Sequence, residues 1–287
     1  MRYGDFSTLC DRSPLPVCRL FDNAVVPSCH LKAYAVGNAY IINLPDFVVS
    51  ILAFLTTVYL GFRAHRRIGA VGRREMALLL SLFSICLVLN IAGADVVFSS
   101  PTTNKWFGVV NAALEISFFF MLMFTAFVGF QILADGSFAS MVLHVVFTAL
   151  AFFGFGYMAA DTAFGISSGL KPSPSDPLYS PGLFTMYLVF PLVALAVYVV
   201  VHLVIVFKFL AVRRPLVWLA CAIVCFAVGQ VLMFVASKKI CTGSNSKIDG
   251  AFFATLLNMA AVCCIYGFWN FITEDDSEEH DGIAYKY

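Results

Sequence analysis

The sequence predicts an all-α polytopic membrane protein: a bundle of seven transmembrane helices, N-terminus lumenal, C-terminus cytosolic. Three observations predict it. Hydrophobic residues make up 61% of the 287-residue chain and charged residues 12%, against nearer half and a quarter in soluble domains. Seven stretches of about 20 mostly apolar residues follow one another, each enough to cross a bilayer core. A dense basic cluster follows the first stretch, and basic residues beside spans prefer the cytosol.

Residues 1–39 read as a lumenal tail with three cysteines, Cys10, Cys18 and Cys29. They lack the basic start and early apolar run of a cleavable signal peptide, so the first span is expected to serve as the insertion signal. The bundle is expected over 40–272, with spans near 40–62, 75–97, 108–133, 141–163, 185–210, 217–238 and 251–272. Orientation rests on Arg63, Arg66, Arg67, Arg73 and Arg74 after the first span, joined by Lys208, Arg213 and Arg214 after the fifth. Arg2, Arg12, Arg19, Lys32, Lys238, Lys239 and Lys247 fall on the other side, but the cluster next to the first span is expected to dominate. The Pro- and Ser-rich stretch 167–182 reads as a flexible lumenal loop, and no N-x-[ST] sequon occurs. The chain closes on an acidic cytosolic tail, 273–287.

Cys86, Cys221, Cys225, Cys263 and Cys264 lie within spans, where cysteine behaves as a small hydrophobe. The other four, Cys10, Cys18, Cys29 and Cys241, all fall on the predicted lumenal side, where disulfides persist. They allow three connectivities. A bond from the tail to Cys241, pinning the tail over the last hairpin, is favoured.

Polar residues inside spans are rare and usually face a bundle interior. Here they are Asp46, Asn90, Asp95, Asn111, Glu115, Asp161, Gln230 and Asn258. Most fall in the lumenal half, with Asp46, Glu115 and Asn258 roughly 10 Å deep at 1.5 Å of rise per residue. Asp95 and Asp161 sit near the surface and read as interfacial. The others suggest a polar layer that binds a partner helix, a small ligand or an ion; alternatively, the groups satisfy one another and hold the bundle together. Trp106 and Trp269, near span ends, read as interfacial anchors. Gly129, Gly154, Gly156 and Gly229 read as points of close helix approach.

Several classes are disfavoured. A net charge of +1 points to no nucleic-acid partner. His144 and His202 are isolated, no Cys/His cluster has metal spacing, and no nucleophile–base pair is legible, so no enzyme, metal or cofactor is expected. The third span ends "GFQILADG" without the acidic–Arg–aromatic triplet of a receptor, and the last has neither Asn-Pro-x-x-Tyr nor a retinal lysine. Pro45 and Pro191 do not form the paired helix breaks of a transporter.

Longer stretches carry a resemblance. "AVGRREM" (70–76), "FVGFQ" with "DG" close behind (127–136), "FAVGQVLMF" (226–234) and "DGAFFATLLNMAAV" running into "FWNFITEDD" (249–276) resemble the fungal chitin synthase export chaperone family, as does the tail with "LCDRSPLPVC" and "PSCH". The resemblance covers nearly the whole chain. It implies a non-enzymatic seven-span protein of the endoplasmic reticulum membrane that helps a polytopic chitin synthase fold, avoid aggregation and leave in vesicles, and so supports cell-wall chitin. Glu115, Gln230 and Asn258 are then candidates for contact with the client, and Asp46, Asn90 and Asn111 complete the polar layer. Asp276 and Glu278 have the acid-x-acid form of an export signal read by vesicle coat proteins, although a plain solvated tail would look the same. The basic first loop could bind anionic membrane lipids. Two alternatives stand beside this: a lasting accessory subunit that travels with the synthase to the plasma membrane, and an orphan seven-span receptor.

Overall fold

The computed structural model describes residues 2–13, 15–21, 29, 31–37, 39–67, 69–92, 96–98, 100–128, 137–167, 176–210 and 214–284; of 36, 128, 209, 210 and 274–284 only the backbone is described. After a short helix α1 (Ser7–Arg12) and a 3-10 turn (Pro16–Leu20) come strands β1 (Tyr34–Val36) and β2 (Ala39–Ile41), then α2 (Leu44–Arg66) and α3 (Arg73–Asn90). Strand β3 (Val96–Phe98) precedes α4 (Pro101–Val128) and α5 (Phe138–Phe164). Two apolar rods follow, α6 (Pro181–Lys208) and α7 (Pro215–Gly243), and then α8 (Gly250–Ala284).

Local chemistry sets the helix ends. Asn43 caps α2 by accepting from the Asp46 amide at 3.3 Å, with Pro45 in the first turn, where its missing N–H costs nothing. Helix α2 ends on Arg63, His65 and Arg66, charges suited to the negative end of a helix dipole. Gly72 turns the chain into α3 at φ 68°, a left-handed conformation that glycine tolerates best.

Six helices are long and apolar enough to cross a membrane: α2, α4, α5, α6, α7 and Gly250–Thr273 of α8. The expected second span is the 18-residue α3, which opens on Arg73, Arg74 and Glu75 and so carries too much charge over too short a length to join them by that criterion. The outward faces are apolar. Leu150, Phe153, Leu192 and Val217 are each more than 60% exposed, and such a surface is stable in lipid rather than water.

The fold is mostly helical but not all-α. Strands β1, β2 and β3 form one antiparallel sheet, with Tyr34 opposite Ile41 and Ala39 opposite Phe98. Residues expected at the start of the first span are thus strand, and α2 begins at Leu44. Tyr34 and Tyr40 stay half exposed while the backbone groups pair across the sheet.

Nor is the described part of the N-terminal stretch a loose tail. Phe6, Leu9, Val17 and Leu20 are buried against Ile116 of α4 and Ala159 of α5. The Ser13 hydroxyl donates to the Met233 carbonyl of α7. A Cys10–Cys18 disulfide staples this cap internally, and Cys29–Cys241 ties the chain to the end of α7. Both bonds, the sheet and the cap lie at one end of the bundle, the disulfide end. The opposite, basic end carries the α2–α3 connection.

The helices form an incomplete ring. Contacts run from α6 to α4, α4 to α3, α3 to α2, α2 to α8 and α8 to α7, with α5 packed outside on α4. Helices α6 and α7 pack on α4 and α8 respectively rather than closely on each other. Two small-residue contacts are tight. A side chain at Gly229 would meet Leu257 Cβ at 3.3 Å, and one at Gly267 would meet the Trp218 ring at 2.8 Å. Gly156 faces Ala113 Cβ at 3.6 Å, whereas Gly154 has nothing within 4 Å and is no packing point. Gly129 lies outside the described residues.

The two tryptophans part company. Trp106 is half exposed at the start of α4, its ring 4.8 Å from that of Phe164. Trp269 is not an interfacial anchor: it is 7% exposed and its indole N–H donates to the Val71 carbonyl at 2.9 Å. The acceptor lies in the α2–α3 connection, and spacing along the chain gives no means of locating it.

Candidate functional site: a polar cavity inside the bundle

The incomplete ring encloses a cavity of about 630 Å³. Its walls are mainly apolar, but the polar residues expected to form a layer converge on it. Asp46, Asn90, Asn111, Glu115, Gln230 and Asn258 all line it, contributed by α2, α3, α4, α7 and α8. Leu15 and Pro16 of the N-terminal cap roof it at the disulfide end.

These side chains have different surroundings. Asp46 lies in the first turn of α2 and is 1% exposed. It lies less deep along its helix than the roughly 10 Å expected, because Asn43 and Pro45 start the helix just before it. Glu115 lies beside Tyr187 of α6, and both line the cavity. Asn258 sits opposite Gly229, its Oδ1 3.5 Å from where a glycine Cβ would be, and this oxygen has no hydrogen-bond partner among the described residues. Asn90, Asn111 and Gln230 present carboxamides to the same space.

Tyr187 carries no sequence signal. Only the fold brings it beside Glu115. Its turn, Thr185–Val189, is π-helical, and so is Leu232–Ala236 in α7. Such widened turns are often found at functional sites.

The disulfide end is sealed by a buried pair that spacing along the chain does not announce either. Asn43 Nδ2 donates to Asp249 Oδ1 at 2.8 Å. Asp249 in turn accepts from the Ala251 amide at 3.1 Å and the Phe252 amide at 3.4 Å. The cap of α2 and the cap of α8 are thus bonded to each other, 4% and 2% exposed respectively. Burial holds the Asp249 carboxyl above its ordinary range, against the opposing pull of these hydrogen bonds.

The remaining candidates lie elsewhere. Asp161 is fully buried near the end of α5, accepting from the backbone amide and hydroxyl of Ser167 to close the turn after that helix. At the basic end Ser140 donates to Glu75 Oε1 at 2.8 Å, and His144 Nδ1 lies 2.9 Å from the Ser140 carbonyl, so that α3 is bonded to α5. Asp276 and Glu278 fall in the last turns of α8, where side chains lie outside the described residues; Asp95 lies outside them altogether. Among the described residues no three His, Cys, Asp or Glu are grouped to hold a metal ion.

These features define a class: a mostly helical protein of membrane type, with a cysteine-stapled cap over an internal polar cavity. The chain belongs to the chitin synthase export chaperone family, whose model matches residues 2–283. It is similar to a chitin synthase export chaperone of Aspergillus oryzae, 30% identical over 99% of this chain and 86% of the relative. It is similar also to proteins of the same name from Chaetomium globosum, at 31% over 97% and 85%, and Kluyveromyces lactis, at 27% over 97% and 94%. No solved structure matches it.

Proposed function

We propose that this chain is a non-enzymatic chaperone of the endoplasmic reticulum membrane that binds a polytopic chitin synthase and supports its folding and export. The family match over residues 2–283 carries this reading. In it the chain crosses the membrane seven times, α3 supplying the second crossing, with the N-terminus and both disulfides lumenal and the C-terminus cytosolic. The basic residues at the α2–α3 connection, Arg63, Arg66, Arg67, Arg73 and Arg74, support that orientation.

The cavity suggests the means. An unassembled synthase span with exposed polar groups is costly in lipid. Glu115, Gln230 and Asn258 offer hydrogen-bonding groups inside an otherwise apolar bundle. Each such contact is worth about 0.6–2 kcal/mol, so a lasting grip needs a broad surface around them. The acidic tail, with Asp276 and Glu278, would be open to vesicle coat proteins on the cytosolic side.

Gentle detergent purification from endoplasmic reticulum and plasma membrane fractions tests this. A synthase recovered from the first fraction alone supports a transient chaperone, and recovery from both supports a lasting subunit. Recovery from neither overturns client binding. Glu115→Gln and Asn258→Leu should weaken capture; unchanged capture with a less stable bundle would assign these residues to packing alone.

A further inference from the structure

The cavity reaches the outer surface of the bundle. Leu192 of α6 lines it and is nevertheless 61% exposed, and Val189, one turn earlier, lines it and is 37% exposed. Across the opening stand Phe226, Gln230 and Met233 of α7. This is the break in the helix ring, flanked by the π-helical turns Thr185–Val189 and Leu232–Ala236. On the outward faces around it Val193 and Val228 are about half exposed. A molecule dissolved in the bilayer can therefore enter sideways.

The shape limits what enters. On α8 the lining runs from Ala251 to Ile265, roughly 20 Å at 1.5 Å per residue. Spread over that length, about 630 Å³ makes a long, narrow space. Such a space suits one slender apolar body. The volume lies within the usual range for small-molecule sites.

The polar groups limit it further. Arg19, at the roof, is the one cation among the described lining residues, and it donates to the Val96 carbonyl at 3.2 Å. Away from the roof, the lining offers carboxamides from Asn90, Asn111, Gln230 and Asn258 and the carboxyl of Glu115. That set suits a neutral hydroxyl or amide and disfavours a phosphate, which would need cationic partners.

We propose that the cavity binds a neutral membrane amphiphile, a hydroxyl- or amide-headed molecule with one slender apolar body, admitted from the bilayer between α6 and α7. Sterols and monoacylglycerols share this chemistry. The occupant would give the carboxamides partners while the bundle is without a client, and would leave by the same opening.

The test is photocrosslinking of the full chain in lipid nanodiscs with three clickable probes: a sterol, a monoacylglycerol and a lysophosphatidic acid. Saturable labelling of the peptides carrying Leu192, Gln230 or Asn258 by either neutral probe is the expected result, and which probe labels identifies the source. Leu192→Trp, at an exposed position, should block entry and reduce labelling to background without disturbing the fold. Gln230→Leu leaves the opening intact and should weaken labelling about three- to tenfold, the worth of one intramembrane hydrogen bond. Labelling spread equally over the outward face of α5, or unchanged by Leu192→Trp, overturns the site. Equal labelling by the phosphate probe overturns the neutral head. Synthase capture is measured separately on the same variants, so failure of the amphiphile site and failure of client binding are distinguishable.

Discussion

The indole N–H of Trp269 donates to the backbone carbonyl of Val71 at 2.9 Å, joining residues 198 apart in the chain. Both belong to stretches that carry the family resemblance, "AVGRREM" and "FWNFITEDD". The bond fixes the connection between α2 and α3 to the far end of the last apolar helix. Trp269→Phe keeps an aromatic ring and should cost about 1 kcal/mol. Trp269→Ala also opens a cavity and should cost about 3–5 kcal/mol. Thermal unfolding in one detergent distinguishes them; equal losses would mean that the hydrogen bond contributes nothing.

The Asn43–Asp249 pair links two helix caps, and its prediction involves pH. Burial raises the Asp249 carboxyl, so the folded chain holds this proton more tightly than the unfolded chain. The site's contribution to stability is therefore greatest below the ordinary carboxylate range and is lost as pH rises through the raised folded value. Asp249→Asn keeps an acceptor and should remove this dependence at little cost at neutral pH. Asp249→Leu strands the Asn43 amide and the first amides of α8, and should cost about 1–3 kcal/mol. Unfolding curves at several pH values check both.

The two disulfides should fail differently. Cys29–Cys241 spans 212 residues and Cys10–Cys18 spans 8. Chain entropy alone assigns about 5 and 2.5 kcal/mol to loops of these sizes, and membrane insertion lowers the first because it already restrains the unfolded chain. Cys241→Ser should leave the Cys10–Cys18 cap bonded and expose residues near 29 to protease. Cys18→Ser should loosen the roof of the cavity. Peptide mapping without reduction, with timed proteolysis, reads both.

Glycines predict a contrast. A Cβ on Gly250 would lie 2.7 Å from Ser237 Cβ and closer still to the Leu232 carbonyl oxygen. Gly250→Ala should therefore cost about 1–3 kcal/mol through forced movement of α7 against α8. Gly154→Ala meets nothing within 4 Å and should be neutral or stabilising by up to about 1 kcal/mol. The two melting temperatures, measured side by side, provide the check; destabilisation by both would contradict the packing described.

Much of this architecture is legible in the amino-acid sequence. Apolar runs separated by charge locate the helices, because lipid and the helix period impose a coarse rule that length and hydropathy can read. Charge, glycine and proline at their borders place most ends within a few residues. The polar residues inside spans stand out because they are costly there. The disulfide end is not legible in the same way. The sheet, the buried cap and the α2 start at Leu44 depend on short segments paired across the chain, and their periodicity is too brief to announce them.

The sequence by itself determined a helical chain of membrane character, the polar residues set within its spans and the cysteines able to staple one end. Only the tertiary structure decided that Asp46, Asn90, Asn111, Glu115, Gln230 and Asn258 share one cavity, that Tyr187 lies beside Glu115, and that Trp269 turns inward to Val71. The physical reason is that hydropathy fixes how deep a residue sits but not the direction it faces. Direction is set by helix rotation and neighbour choice, through close contacts such as Gly229 against Asn258 and cap-to-cap bonds such as Asn43 to Asp249, and these exist only when residues far apart in the chain meet.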